Sequence, residues 1–568
     1  MNEEIFTVKE LVRSSTEKFS KCVAYRMKRD EKYREWTFSD VGKFVKNLGG
    51  ALSDLQVKAG DKVLLLSENR PEWPISYLSI ASLGAIVVPL DALLQARDLL
   101  YLIKDSGAGT LILSQKFIDL LDDNLKEADN LKTIISMDAK EDKKNIISWD
   151  RLTREEKSAK EEKVLPDDLL AIIYTSGTTG VSKGVMLSHK NVMSNVQAAR
   201  SLFEIGPGDR LLSVLPIHHT FETTGGFLTP YYVGASVTYA ESLKSYNLLQ
   251  NMQDIKLTIM LGVPLLYQLF LDGIMRGVEE KGGLAKIIFK VLFFISAFVK
   301  TVFRVNIGRK LFSMVHKKLG GQVRFWVSGG AAIDPKVIKS FDLMGLTILQ
   351  GYGLTESSPV LCACSIKENR IGSVGKQLPG VEVKIDKPNR QGIGEIIARG
   401  PNIMKGYYKN PEATSEILKG GWLYTGDMGY IDRDGYVFIT GRSKYVIVTG
   451  SGLNVYPEEV EVELNRSPFI KESCVLSRKV KVGARKGTEE VFAVIFPDME
   501  YFVKVGKTKK LGVDQNFIKT KIRVEIKRIN DKLPDYKKIG GFELRSEEFP
   551  KTSTKKIKRF VVKKEYGL

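Results

Sequence analysis

Between residues 169 and 184 an apolar run, Leu169-Leu-Ala-Ile-Ile-Tyr174, passes directly into Thr175-Ser-Gly-Thr-Thr-Gly-Val-Ser-Lys-Gly184. A short unbroken apolar run with β-branched residues reads as a strand covered on both faces, which demands a sheet inside an α/β layer. The loop after it holds the glycines Gly177, Gly180 and Gly184, the hydroxyl side chains of Thr175, Ser176, Thr178 and Thr179, and Lys183. Glycine lets backbone N–H groups turn inward, hydroxyls add donors, and lysine supplies a point charge. Together they describe a clamp for a polyphosphate. It is not a Walker A loop: counting from Gly177, that pattern needs Gly fifth and Ser or Thr seventh, where Ser182 and Gly184 stand.

The strand belongs to a longer rhythm. Asp61-Lys-Val-Leu-Leu-Leu66 and Ala85-Ile-Val-Val-Pro89 read as buried strands separated by a helix over Pro74–Leu83. That βαβ alternation predicts a parallel sheet covered by helices. Further strands are expected at Arg210–Leu215, Val323–Val327 and Thr347–Gln350. The stretch Asp138–Lys163, charged and nearly free of aromatics, reads as a solvated surface excursion. From Gly392 the texture turns to short strands with tight turns, as at Asp432-Arg-Asp-Gly435. Past Gly441 the chain becomes a basic mixed α/β segment, so a boundary is expected there.

Apolar residues at 43% and charged ones at 27% exclude wholesale disorder, and 568 residues allow several structural units. Four cysteines (Cys22, Cys362, Cys364 and Cys474) exclude a disulfide scaffold, and none has zinc or redox spacing. The acidic start Met1-Asn-Glu-Glu is unlike a secretory signal, so a reducing, cytoplasmic compartment is the expectation. The net charge is +19, and residues 444–568 alone carry +11 of it. Such a surplus fits nucleic acid, an anionic membrane or an acidic substrate. Nucleic acid is disfavoured, since no recognition helix, zinc finger or aromatic-basic strand motif accompanies the charge.

Four more motifs follow the loop: Gly351-Tyr-Gly-Leu-Thr-Glu356, Tyr424-Thr-Gly-Asp427, Gly441-Arg442 and Pro550-Lys-Thr-Ser-Thr-Lys-Lys556. In type and order the five resemble the signature of the acyl-adenylate-forming (AMP-binding) enzymes, from about residue 20 to about residue 560. The resemblance implies an α/β fold. Its large N-terminal domain, 1–441, has layered parallel and mixed sheets with helices plus a small distorted barrel. A smaller mobile α+β domain, 442–568, follows and carries the catalytic lysine. The implied reaction joins a carboxylate to ATP, giving acyl-AMP and pyrophosphate, and a thiol then displaces AMP.

By the same resemblance, Thr175, Ser176, Gly177, Thr178, Thr179 and Lys183 hold the departing phosphates. Thr355 contacts the α-phosphate, and Glu356 with Thr178 holds Mg²⁺. Gly351, Tyr352 and Gly353, with Gly329 and Ala331, form the adenine pocket. Asp427 and Arg442 bind the ribose, and Lys444 stands at the hinge. Lys556 bridges the substrate carboxylate and the α-phosphate. Three departures are evident: Lys555 replaces the glycine usual before that lysine, Tyr445 replaces an acidic residue, and Gly450-Ser-Gly-Leu-Asn454 replaces Gly-Gly-Glu-Asn.

Leu215-Pro-Ile-His-His-Thr-Phe-Glu222 resembles a segment of long-chain fatty acid–CoA ligases, which would put His219 near the substrate carboxylate or acyl tunnel. The small residues Gly329 to Ala332 are expected to leave room for a narrow chain. Leu284–Arg304 carries separate information: on a helix, Lys286, Lys290, Lys300 and Arg304 fall within about 80° of one another on an otherwise apolar surface. Its longest charge-free run, Val291–Val299, is too short to span a bilayer. A peripheral contact with an anionic membrane, on its cytoplasmic face, is the expectation. The expected co-substrates are ATP, a fatty acid and CoA. An acyl carrier protein as thiol donor, an acid other than a long-chain one, and a non-catalytic fatty-acid carrier stay open.

Overall fold

The computed structural model describes residues 4–121, 127–143, 145–157, 162–176, 182–449, 453–480, 488–509, 514–552 and 556–568. The chain is α/β and forms two compact units. One comprises Met1–Thr175, Ser182–Val383 and Ala398–Leu423; the other holds Lys384–Ile397 and Tyr424–Leu568.

The first unit contains two large sheets. One has eight strands, in the order Gly406–Tyr407, Ser182–Ser188, Leu169–Ser176, Ile86–Pro89, Lys62–Leu66, Thr110–Leu113, Thr133–Ser136 and Ile146–Ser148. From Leu169–Ser176 to the far edge its registers are parallel, as the βαβ rhythm predicts. Val63 to Leu66 and Val87 to Val88 are fully buried. Helix Glu72–Ser82 is also buried along nearly its whole length, Trp73 stacking on Tyr77 with centroids 5.4 Å apart.

The second sheet has nine strands. Its parallel centre runs Thr347–Gly353, Phe325–Ser328, Ile259–Gly262, Arg210–Ser213, Ser236–Tyr239. Antiparallel strands Val360–Ala363 and Lys376–Gln377 extend one side, so the chain reverses directly after Gly353. That reversal places the Gly351–Glu356 motif at the carboxyl end of a parallel strand, where α/β sheets bind ligands.

One expectation fails here. The charged stretch after Asp138 is not a solvated excursion: Ile146–Ser148 adds an edge strand, and helix Trp149–Arg154 packs inward. Trp149 is buried and its indole N–H donates to Ser76 Oγ at 2.9 Å. The charges of that stretch pair with each other at the surface, Arg151 with Asp142 and Glu155.

Five short strands form a third sheet, Glu382–Asp386, Gly394–Arg399, Trp422–Ile431 and Leu418–Lys419 in order, with Val437–Arg442 also paired to Trp422–Ile431. In the second unit, strands Ile470–Lys479, Glu489–Pro497 and Ile539–Leu544 make a three-stranded sheet. Helices Pro457–Leu464 and Gln515–Asn530 cover it, with Val460, Leu464, Ile522 and Ile526 in its core. All four cysteines are free thiols, and burial raises those of Cys362, Cys364 and Cys474.

Candidate active site

Near the end of the phosphate-loop strand Leu169–Ser176, the Thr175 hydroxyl donates to the Lys183 carbonyl at 3.5 Å. The Tyr174 hydroxyl donates to Asp105, and burial, with that carboxylate, holds the phenol in its neutral form. Gly177, Thr178 and Thr179 lie outside the described residues. The chain continues as Ser182–Ser188, where Gly184 is necessary: an added Cβ would stand 2.8 Å from Ile172 Cγ2.

Strand Gly406–Tyr407 pairs antiparallel with this segment, Tyr407 opposite Val185. Lys183 Nζ therefore sits 5.0 Å from the Tyr407 ring centroid, a cation over an aromatic face. The Tyr407 hydroxyl donates to Glu356 Oε1 at 2.7 Å. Burial first, and then the Glu356 charge, keep the Tyr407 phenol protonated. Lys183 and Glu356, distant in sequence, are thus joined through a tyrosine the sequence reading did not single out.

Glu356 lies in a single helical turn, Thr355–Ser357, with Thr355 buried. Two asparagine side chains hold that turn. Asn195 donates to the carbonyls of Ser357 and Val360 at 3.3 and 2.9 Å, and Asn402 to the same two at 2.9 and 3.0 Å. The Met404 N–H donates to the Glu356 carbonyl at 2.9 Å. Gly351 and buried Tyr352 lie just upstream, opposite Ala363 and Cys362.

Gly353 approaches the reversed chain so closely that an added Cβ would lie 1.8 Å from the Pro359 carbonyl oxygen. Backbone cannot yield as a side chain can, so Gly353→Ala is expected to cost about 3 kcal/mol or more of stability. Adenylation should fall with it. Chemical denaturation checks this, and an unchanged midpoint would refute it.

The histidine segment follows strand Arg210–Ser213. His219 is partly exposed, its Nδ1 accepting the Phe221 N–H at 3.3 Å. His218 is buried with Nε2 3.6 Å from Asp91 Oδ1; burial lowers its pKa and Asp91 opposes that shift. Phe221–Leu228 forms a π-helix, a wide turn often found at functional sites. The expected room at Gly329 is taken: the Phe221 ring fills it, an added Cβ there meeting Cε1 and Cζ at 3.0 Å. Gly330, with φ of +81°, turns the chain so that Ala331 and Ala332 are exposed.

Glu222 is buried, with the Ser213 hydroxyl 2.5 Å from its carboxyl group. Burial pushes its carboxyl up to about 8 from 4.5. The unfolded chain loses this proton near pH 4.5 while the folded chain keeps it. The stabilisation is therefore complete below pH 4.5 and is lost as pH rises through about 8. Glu222→Gln should flatten the stability profile across that window, read by urea denaturation. Parallel profiles for both proteins would refute a buried neutral acid.

In the second unit, Asp427 and Arg442 face each other across the hairpin, and Arg442 Nε lies 3.0 Å from Asp427 Oδ1. Asp427 is buried and Arg442 exposed. Beside it, Gly441 packs closely, since an added Cβ would lie 2.8 Å from Glu458 Oε2. Lys444 stands exposed in the turn Ser443–Tyr445.

Lys556 is exposed, next to Ile557, which forms a bridge with Lys551. Its main-chain N–H donates to Thr552 Oγ1 at 3.1 Å. Two ion pairs fasten the flanking residues: Lys551 to Glu472 at 2.6 Å, and partly buried Arg559 to Glu461 at 2.5 Å, with Arg559 also donating to the Val475 carbonyl. Lys555 lies outside the described residues.

The family model for AMP-binding enzymes matches residues 12–408. The chain belongs to the AMP-binding enzyme family. Among its relatives, fatty acyl-CoA synthetase A of Dictyostelium discoideum is 30% identical over 496 residues, 82% of this chain and 72% of that protein. The long-chain-fatty-acid–CoA ligase FadD15 of Mycobacterium bovis is 27% identical over 576 residues, 96% of this chain and 93% of that one. Among solved structures, the anthranilate CoA ligase AuaEII in complex with anthranoyl-AMP superposes with a TM-score of 0.79 at 24% identity, covering 99% and 98% of the two chains. The chain thus shares that protein's fold. Tyr407, Asn195 and Asn402 are the residues missed by sequence reading; Arg559 closes the Pro-Lys-Thr-x-x-x-Lys-Ile-x-Arg setting of the lysine, but its ion pair with Glu461 is visible only in the structure.

Proposed function

We propose that the protein is an ATP-dependent long-chain fatty acid–CoA ligase. The fatty acid carboxylate attacks the α-phosphorus of ATP, the bond to pyrophosphate breaks, and acyl-AMP forms. The CoA thiol then attacks the acyl carbonyl and AMP leaves. The observation that carries the reading is the Lys183–Tyr407–Glu356 array. It sets a cation and a carboxylate beside the phosphate-loop strand, in a family defined by AMP binding.

Each residue has work suited to its chemistry. Lys183 compensates charge on the departing phosphates, and Thr175 and the loop hydroxyls Ser176, Thr178 and Thr179 supply donors. The Thr355 hydroxyl donates to the α-phosphate. Tyr352, between Gly351 and Gly353, borders the adenine with Gly329 and Ala331. Asp427, which can only accept, takes the ribose hydroxyls and is oriented by Arg442. His219 stands toward the acyl carboxylate. Lys556 bridges the two reacting anions from the small domain, 442–568, which pivots at Lys444.

Among the described residues no three His, Cys, Asp or Glu side chains cluster as a metal cage. A bound Mg²⁺ would therefore take Glu356, Thr178 and phosphate oxygens, the mixture this ion favours. Held there, it would neutralise charge on the leaving pyrophosphate.

The test is pyrophosphate release with palmitate, octanoate, benzoate and acetate, each with and without CoA. Palmitate with CoA-dependent thioester is the expected result. Turnover of acetate or benzoate but not palmitate would overturn the long-chain reading. Pyrophosphate release without CoA-dependent product would assign the thiol to a carrier protein.

A further inference from the structure

Helix Gly283–Phe303 lays a long apolar surface open to solvent. Its inner side is plain: Ser296, its only buried residue, donates to the Leu343 carbonyl at 2.6 Å. Phe289 and Phe293 pack edge-on against Phe312 with centroids 5.3 and 5.2 Å away, and Lys300 pairs with Asp342. On the opposite side, Leu284, Ile287, Val291, Phe294, Phe298 and Val302 lie within about 80° of one another at the helical period. All six are exposed, Leu284 and Phe294 at 72%. The strip runs about 27 Å at 1.5 Å per residue. A continuous apolar strip of that length is not left open without a use.

Its electrostatics are one-sided. Residues 281–318 contain nine Lys and Arg and neither Asp nor Glu. Lys290 and Arg304 are exposed on one flank of the strip, and Lys286 beside them reaches Glu279 at 3.3 Å. The expected stripe of four outward cations is therefore three, since Lys300 turns inward to Asp342. No helix among the described residues is long and apolar enough to cross a membrane.

We propose that this face docks the protein on an anionic phospholipid bilayer. The helix lies in the interface plane with the apolar strip in the acyl boundary, while Lys286, Lys290 and Arg304 reach lipid phosphates. A second copy fits poorly, because it would set two acid-free basic segments against each other. A folded protein partner fits less well than lipid. Protein interfaces carry about one hydrogen bond per 100–200 Å², and the six strip residues offer none from their side chains. Hydrocarbon asks for none. A fatty acid partitions into the same bilayer, so docking extends the proposed function to the delivery of its substrate.

Co-sedimentation of the full chain with vesicles tests this, without ATP or fatty acid, so the result is independent of the ligase reading. Binding to phosphatidylcholine–phosphatidylglycerol vesicles is expected, at least tenfold tighter than to phosphatidylcholine alone. The double variant Phe294→Asn, Phe298→Asn should lose binding at least tenfold, and Lys290→Glu with Arg304→Glu should lose only the preference for anionic lipid. Turnover of a water-soluble short-chain acid, if the parent accepts one, should not change in either variant. As a second measurement, Phe298→Trp should add tryptophan emission that brominated-chain lipid quenches. Unchanged binding in the phenylalanine variant, absence of added quenching, or a dimer abolished by that variant without vesicle binding would overturn the proposal.

Discussion

Replacing Lys556 by alanine is expected to lower acyl-adenylate formation about a thousandfold, while thioester formation from supplied acyl-AMP stays within about threefold of the parent. The first step brings a carboxylate to a polyphosphate, and a cation that meets both anions acts most strongly as charge redistributes. Losing such a contact costs about 3–4 kcal/mol. The second step no longer joins two anions, so it should not need this lysine. The substitution is conservative of the fold, because Lys556 is exposed and the flanking ion pairs Lys551–Glu472 and Arg559–Glu461 do not involve it. Single-turnover assays of each half-reaction decide it. Loss of both would remove Lys556 from this role, and Lys555→Ala reproducing the adenylation defect would move the assignment by one residue.

Glu356→Gln is expected to reduce adenylation about a hundredfold, most severely at low Mg²⁺. Glutamine keeps the shape and can still accept the Tyr407 hydroxyl, and the main-chain bond from Met404 is untouched. What changes is the charge. Tyr407→Phe keeps the charge but frees the carboxylate, so about a tenfold loss that added Mg²⁺ largely restores is expected. Titrating Mg²⁺ against pyrophosphate release for the three proteins checks this. Identical Mg²⁺ dependence in parent and Glu356→Gln would exclude the carboxylate from holding the ion.

Much of the architecture was legible because its causes are local. Buried parallel strands such as Lys62–Leu66 and Leu169–Ser176 announce themselves as short apolar runs, and the hairpin at Asp432–Gly435 as a turn between apolar residues. The stretch after Asp138 misled for the converse reason. Its charges are visible in sequence, but the pocket beside Ser76 that buries Trp149 is formed by a helix about 70 residues away. Gly329 was similar: its small size is evident, yet the ring that fills the space belongs to Phe221.

By itself the sequence determined the family, the order of its motifs and the kind of chemistry, because residue type and spacing carry those directly. The tertiary structure alone decided which residues support the reacting ones. Tyr407 reaches Glu356 across 51 residues, Asn195 reaches Ser357 across 162, and Arg559 reaches Glu461 across 98. It also decided which side of helix Gly283–Phe303 is wet. Periodicity shows that an apolar face exists, but only packing against Phe312 and Asp342 determines which face is covered and which is left to a partner.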